Sequence, residues 1–319
     1  MNYNKLHVDW ANEQLNVNNK KILVVGCNTG KECSYFIELG AKEVWGIDVL
    51  TEVGKDYVDS KIKYFQMSVE KMSIDDNSFD LTFCFATMEH VSNIEAAFLE
   101  MVRVTKLNGV IYCVASPLWN SRQGHHKQNI LDIDKYPWIH LRMDKDEIKN
   151  KCRNGEILVS SLLSDVNAHI EHMFNGRYFN FQPAQKYIDI CSSLQEVDII
   201  RNDLDLENED FLTPEISEEL SKKGYSRTEL LALTHTFIAR KIGTKDEQLV
   251  ILKDKLKSAE CEIVALKDQL KSAECEIVAL KDQLQNTEVQ IVAMKSSKFW
   301  QLRILWFEVK KLLGLPIND

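Results

Sequence analysis

The chain has 319 residues, 45% of them hydrophobic, and carries 48 acidic against 39 basic side chains for a net charge of −9. This is ample apolar material for one large domain or two; it excludes a disordered chain and argues against a whole surface built to bind nucleic acid. From the N-terminus, His7 to Val17 reads as a short amphipathic helix with Trp10 and Leu15 on its apolar side. Ile22 to Val25, short and mostly β-branched, reads as a strand buried on both faces of a parallel sheet. Gly26 and Gly30 interrupt it. Lys31 to Leu39 then places Cys33, Phe36, Ile37 and Leu39 for a helix laid on that sheet, with Gly40 at its end. Val44 to Ile47 is a second strand, and Asp48 closes it 22 positions after Gly26. That is close to the offset of about 20 residues at which a carboxylate reaches the ribose of a nucleotide held at the first turn.

The glycine spacing narrows the class of nucleotide. A dinucleotide fingerprint needs glycine at the first, third and sixth positions of the turn, where this chain has Gly26, Asn28 and Lys31. Glycine at the fifth position, Gly30, instead resembles the G-x-G-x-G turn of class I S-adenosylmethionine-dependent methyltransferases, in the methyltransferase type 11-like group. Downstream, Asn77-Ser78-Phe79-Asp80 opens a strand from Leu81 to Phe85, Glu89-His90-Val91 follows, and Phe98 to Leu107 precedes Asn108-Gly109 and a strand from Val110 to Val114. The likeness covers residues 15 to 120 closely and 178 to 242 loosely. It implies an α/β, Rossmann-like doubly wound sheet and S-adenosyl-L-methionine as cofactor. On that resemblance Gly26, Cys27, Asn28 and Gly30 cradle the cofactor, Asp48 holds its ribose, Ser68 and Val69 face its adenine, and Val49 and Phe85 also belong to the cofactor site. Three positions depart from the family pattern: Val24 and Ser68 stand where acids are usual, and Asn28 replaces the middle glycine, a position an asparagine tolerates through its access to positive φ.

Val53 to Asp59 reads as a helix and Ile62 to Met67 as the third strand, continuing the β/α alternation. His90 sits where this group often lines the transfer site, and a backbone-bonded histidine at a helix start is the equal alternative. Residues 116–176 are longer than an ordinary strand-to-helix connection and rich in Trp119, His125, His126, Tyr136, Trp138 and His140, which reads as a substrate lid beyond the strand ends. His125 or His126 could take a hydroxyl proton; the competing reading is that both only hydrogen-bond within the loop. Adjacent histidines do not share a face, and no zinc spacing is present, so no metal is expected. Phe179 to Leu194 is expected as a helix, Val197 to Ile200 as a strand, Asn202 to Asp210 as a solvated acidic stretch, Pro214 to Lys223 as a helix and Leu231 to Ile242 as a closing strand. Eight cysteines without a CxxC pair, and no apolar leader, suit buried thiols in a reducing cytosol.

The methyltransferase-like domain is therefore expected over residues 1–243, a coiled coil over 244–296 and a basic amphipathic helix over 297–319. A 14-residue repeat from Leu249 puts Leu249, Leu252, Leu256, Ala259, Ile263 and Leu266 on a strict 3,4 seam that continues to Met294. In a parallel pair Lys255 would meet Glu260, and Glu262 would meet Lys267, across the seam. The last helix carries Phe299, Leu302, Leu305, Trp306 and Val309 on one face. From Met294 to Gly314 the basic residues Lys295, Lys298, Arg303, Lys310 and Lys311 stand against Glu308 alone. That pattern fits either an anionic membrane surface or the closure of a helical bundle. The layout is similar to O-antigen chain-terminating methyltransferases. The expected function is O-methylation of a sugar, glycan precursor or small-molecule acceptor near a membrane, by a cytoplasmic homo-oligomer that does not bind nucleic acid. The alternative is a catalytically degenerate scaffold that recruits partners through its coiled coil.

Overall fold

The computed structural model describes residues 2–127, 131–159 and 165–316. The chain divides into two compact units, Met1–Lys245 and Asp246–Asp319.

The first unit begins with α1 (Tyr3–Gln14), whose first turn is capped by the Asn2 side chain. There follow β1 (Lys21–Val25), α2 (Lys31–Glu38), β2 (Glu43–Asp48), β3 (Ile62–Gln66), β4 (Phe79–Phe85), α3 (Ile94–Val104) and β5 (Thr105–Ala115). An intervening region holds α4 (Ile139–Arg142), α5 (Lys145–Arg153) and α6 (Val166–Met173). The unit closes with α7 (Ala184–Ser193), β6 (Val197–Leu206), α8 (Pro214–Lys222), α9 (Arg227–Leu231) and β7 (Ala232–Lys241). The seven strands lie in the order β3-β2-β1-β4-β5-β7-β6. β7 runs antiparallel to both β5 and β6, and the other pairings are parallel. This is the class I methyltransferase order. The chain leaves β1 toward one edge and returns to place β4 on its other side, so the switch point lies at the carboxyl ends of β1 and β4, where open sheets bind ligands.

Alternation along β1 explains its burial. Leu23 and Val25 join Phe98 of α3 and Tyr187 of α7 on one face. Ile22 and Val24 join Val8 of α1 and Phe36 of α2 on the other. Each such side chain contributes about 1.5–3 kcal/mol on burial. Val24, the position where the family carries an acid, thus faces an apolar layer.

Three sequence expectations are corrected. Val53 to Asp59 forms turns, because Gly54 sits at φ +69° with its amide bonded to the Asn28 carbonyl at 2.8 Å, which commits the segment to the β1 turn. Phe179 to Pro183 precedes α7 as irregular chain, since Asn180 turns inward and donates through Nδ2 to the carbonyls of Met88 (2.8 Å) and Val91 (3.0 Å). Asn202 to Leu206 belongs to β6, whose outer face pairs Arg201 with Asp203 and Asp205. A charged edge strand of this kind discourages pairing with another sheet.

Within residues 116–176, Leu131, Ile139, Ile148, Ile157, Ile170 and Met173 make a small apolar cluster of their own. Trp138 is fully buried, and its indole donates to the Leu230 carbonyl at 3.1 Å. Residues 128–130 and 160–164 of this region lie outside the described residues, as do 317–319 of the terminal segment.

The second unit is α10 (Lys245–Ser296), 52 residues long, and α11 (Lys298–Leu312), capped by the Ser297 hydroxyl. Neither helix buries a residue. The leucines of the 3,4 seam are exposed, Leu256 by 62% and Leu280 by 63%. On α11, Trp300, Ile304 and Phe307 add an apolar stripe at i, i+4, i+7 beside the expected one. No helix among the described residues is long and apolar enough to cross a membrane.

Candidate active site

The turn after β1 is shaped by backbone constraints. The amides of Gly26 and Cys27 both bond to the Ile47 carbonyl, at 2.8 and 3.1 Å, which draws the turn over the end of β2. Gly26 has φ +70°, and a Cβ there would lie 2.0 Å from Thr87 Oγ1, so only glycine admits the end of β4 this closely. Asn28 takes the left-handed conformation, at φ +46°. Its amide donates to Asp48 Oδ2 at 2.9 Å, and the Leu50 amide donates to Asp48 Oδ1 at 3.1 Å. Asp48 is thereby fixed in orientation with lone pairs to spare, since a carboxylate offers about four acceptor sites.

Above this turn lies a cavity of about 540 Å³, within the ordinary range for small-molecule sites. Gly26, Asn28, Asp48, Val49, Ser68 and Val69 line one part; His90 and His126 line another. The remaining expected residues fall elsewhere. Cys27 is buried, with its thiol directed toward Gly46. Gly30 lies beneath the Tyr64 ring, where a Cβ would clash at 2.1 Å, and starts α2. Phe85 points to the opposite face and stacks on His7 at 4.1 Å. His125 is fully buried and accepts the Lys127 amide through Nδ1 at 3.0 Å. In physical terms, alternate residues of a strand or tight turn face opposite ways, so a contiguous motif overcounts the wall of a site.

The cavity also takes residues that sequence reasoning missed: His172 of α6, Arg177, Tyr178 and Phe179 from the chain that follows it, and Thr87. The aromatic run after Gly176-Arg177 was the available signal, obscured by its assignment to a helix.

Burial sets the protonation of this wall. His126 Nε2 faces the Pro117 carbonyl at 3.1 Å, which makes it the donor nitrogen and leaves Nδ1 without a partner among the described residues. Desolvation holds the ring neutral, with its pKa lowered to about 4. His90 Nδ1 donates to the Tyr178 carbonyl at 2.5 Å. Desolvation lowers its pKa as well. Glu89, 3% exposed, has neither carboxyl oxygen hydrogen-bonded. Its burial pushes the pKa up to about 8, tempered by the nearby amides of Glu89 and Ser116. The 3.8 Å approach of Glu89 Oε1 to His90 Nε2 is therefore a contact between neutral groups near pH 7.

Residues 23–113 match the family model described as a methyltransferase domain. That match and the sheet order agree on a methyltransferase-type fold for this part of the chain. A ubiquinone biosynthesis O-methyltransferase from Dechloromonas aromatica is 28% identical over 121 residues, 34% of this chain and 50% of that protein. A tRNA U34 carboxymethyltransferase from Nautilia profundicola is 30% identical over 82 residues, 24% of this chain and 27% of that protein. The chain thus spans between about a quarter and half of the length of these curated relatives. A solved SAM-dependent methyltransferase from Methanosarcina mazei shares 17% identity at a TM-score of 0.43, covering 73% of this chain and 96% of that one.

Proposed function

We propose that the chain transfers the methyl group of S-adenosylmethionine to a hydroxyl of a sugar, glycan precursor or small-molecule acceptor, with His126 as the base. The observation that carries this reading is one cavity holding both the Asp48-braced turn and an imidazole with a free nitrogen. The residues present fit the cofactor: Asp48 keeps lone pairs for the ribose hydroxyls, Ser68 and Val69 offer a polar and an apolar contact for the adenine, and the turn at Gly26 and Asn28 lines the same cavity. When bound, the cofactor supplies an electrophilic methyl on a sulfonium. His126 would accept the acceptor's proton at Nδ1 while Nε2 stays anchored on Pro117. Tyr178 and Phe179, which line the same cavity, would exclude water above it.

The scaffold reading rests on Val24, Asn28 and Ser68, of which Val24 faces away from the cavity. A hydroxyl acceptor is supported by the relative named an O-methyltransferase. One relative is named for tRNA, so the net charge alone does not remove RNA as an acceptor. The exposed seam of α10 supports self-association, and the basic, tryptophan-bearing α11 supports attachment to an anionic membrane.

The test is transfer of labelled methyl from S-adenosylmethionine into the lipid, glycan, small-molecule and RNA fractions of a cell extract. The expected result is labelling of a glycan, lipid-linked or small-molecule fraction, reduced about 100-fold or more by His126→Ala. Labelling of RNA alone would overturn the acceptor class, and an unaltered rate in the variant would remove His126 as base. No transfer to any fraction would favour the scaffold.

A further inference from the structure

The turn that follows β4 is tied by hydrogen bonds to the chain that walls the cavity. The His90 ring donates through Nδ1 to the Tyr178 carbonyl at 2.5 Å, and the Asn180 amide donates to the Glu89 carbonyl at 3.1 Å. Asn180 Nδ2 donates to the carbonyls of Met88 and Val91. Tyr178 and Phe179 line the cavity at this join, and the centre of the Phe179 ring lies 5.0 Å from that of His126. Of these bonds, the one to Tyr178 depends on a proton that can move. Glu89 sits beside its donor, 3% exposed, with neither carboxyl oxygen hydrogen-bonded and Oε1 3.8 Å from His90 Nε2. Tyr187 of α7 and Cys113 of β5 face Glu89 and are kept neutral by burial, and no lysine or arginine among the described residues pairs with it. His90 in turn feels Asp48, His126 and His172.

Satisfying both sides of the His90 ring takes two protons, one on Nδ1 for the Tyr178 carbonyl and one between Nε2 and the Glu89 carboxyl. If the pair gives one proton up to solvent, a single ring proton is left for two acceptors, and a carboxylate outcompetes a peptide carbonyl for it. The proton then leaves Nδ1 for Nε2. The bared Nδ1 lone pair faces the Tyr178 carbonyl, and that tie is lost. We propose that Glu89 is a positioning residue: its proton, shared with His90, holds Tyr178 and Phe179 in the cavity wall, and loss of that proton frees them. Burial defers the loss to about pH 8, above the ordinary carboxylate range. Asn180 keeps its bonds to Met88 and Val91 in both states, so the change is confined to the residues before it. This rests on the reading of the cavity as the site of cofactor and acceptor, and adds what holds its wall.

The test follows the ring nitrogens of His90 by NMR in the full-length chain with nitrogen-labelled histidine, between about pH 6.5 and about pH 9.5, since their shifts tell the two tautomers apart. In the wild type the proton should pass from Nδ1 to Nε2 with a midpoint near pH 8. Glu89→Gln cannot ionise and still offers Nε2 a donor, so its ring should keep the proton on Nδ1 throughout. Glu89→Ala, which removes the carboxyl, should likewise show no transition. Affinity for S-adenosylhomocysteine should fall about fivefold more between about pH 7 and about pH 9 in the wild type than in Glu89→Gln, the worth of one hydrogen bond. A wild-type ring that keeps its proton on Nδ1 at the highest pH, or the same transition in either variant, overturns the proposal. Failure of S-adenosylhomocysteine to bind at any pH would instead contradict the cofactor reading, and the tautomer of His90 would still decide this one.

Discussion

Several of the ionisable groups that matter most to this chain are buried in neutral form, and they pull its stability in opposite directions with pH. His126, His140 and His235 have their pKa values lowered to about 4, about 4 and about 3 by desolvation. Each keeps one nitrogen on a protein oxygen: the Pro117 carbonyl, the Trp119 carbonyl and the Asn202 amide oxygen. The unfolded chain protonates these rings near pH 6.5, so between about 6.5 and 4 it binds protons that the folded chain refuses, and stability falls as pH falls. At about 1.4 kcal/mol per pH unit, each costs about 2 kcal/mol from pH 6.5 to 5. Glu89 works the other way. Its pKa of about 8 lies above the unfolded value, so the folded chain holds the extra proton, and stability rises as pH falls from 8 toward about 4.3. These four groups together contribute a loss of about 4 kcal/mol from pH 6.5 to 5 in the wild type and about 6 in Glu89→Gln, which should also be the more stable protein at pH 8; His7 and His125, likewise lowered by desolvation, add to the loss in both. Urea midpoints across pH 5 to 8 measure this. A midpoint that stays level below pH 6.5 would contradict the burial of these rings in neutral form.

At the scale of elements, the long helix is the least ambiguous stretch of the sequence and the least explained by its own surroundings. A 3,4 seam sustained from Leu249 to Met294 would extend about 69 Å at 1.5 Å per residue. α10 forms throughout it, yet none of its residues is buried among the described residues. Exposed leucines at this density favour association, and the matching of Lys255 with Glu260 and of Glu262 with Lys267 across a parallel seam points to a second copy as the cover. Light scattering should then show the full chain as an oligomer and a chain ending at Lys245 as a monomer; identical states for the two would remove the coiled coil. α11 is argued separately. Its basic residues should give affinity for anionic vesicles at about 1 kcal/mol per residue near the surface. Removal of residues 297–319 should abolish flotation with such vesicles and leave the oligomer intact. Loss of the oligomer instead, with no flotation of the intact chain, would assign α11 to a helical bundle.

For the molecule as a whole, what could be read from the sequence was what local chemistry dictates. β1, the glycine turn and Asp48 were legible because a buried parallel strand, a turn at positive φ and a carboxylate at fixed offset leave direct marks in the residues. The wall contributed by His172, Arg177 and Tyr178 was not, because these residues reach the cavity through long-range packing that leaves no periodic trace. His125 and His126 show the same limit: neighbours in sequence, one sealed into the interior and the other on the cavity, separated only by how the loop at Gly124 turns. The absence of a helix at 53–59 follows from Gly54 bonding to Asn28, a contact with no local signature.

All of the proposed chemistry depends on the Asp48-braced cavity taking the cofactor. Calorimetric titration of the full chain with S-adenosylhomocysteine, for the wild type and Asp48→Ala, tests this most directly. The account predicts saturable binding by the wild type and a loss of about 1.5–3 kcal/mol in the variant, the range for hydrogen bonds to a charged group. Absence of heat at millimolar ligand, or equal affinity in the two proteins, would contradict it.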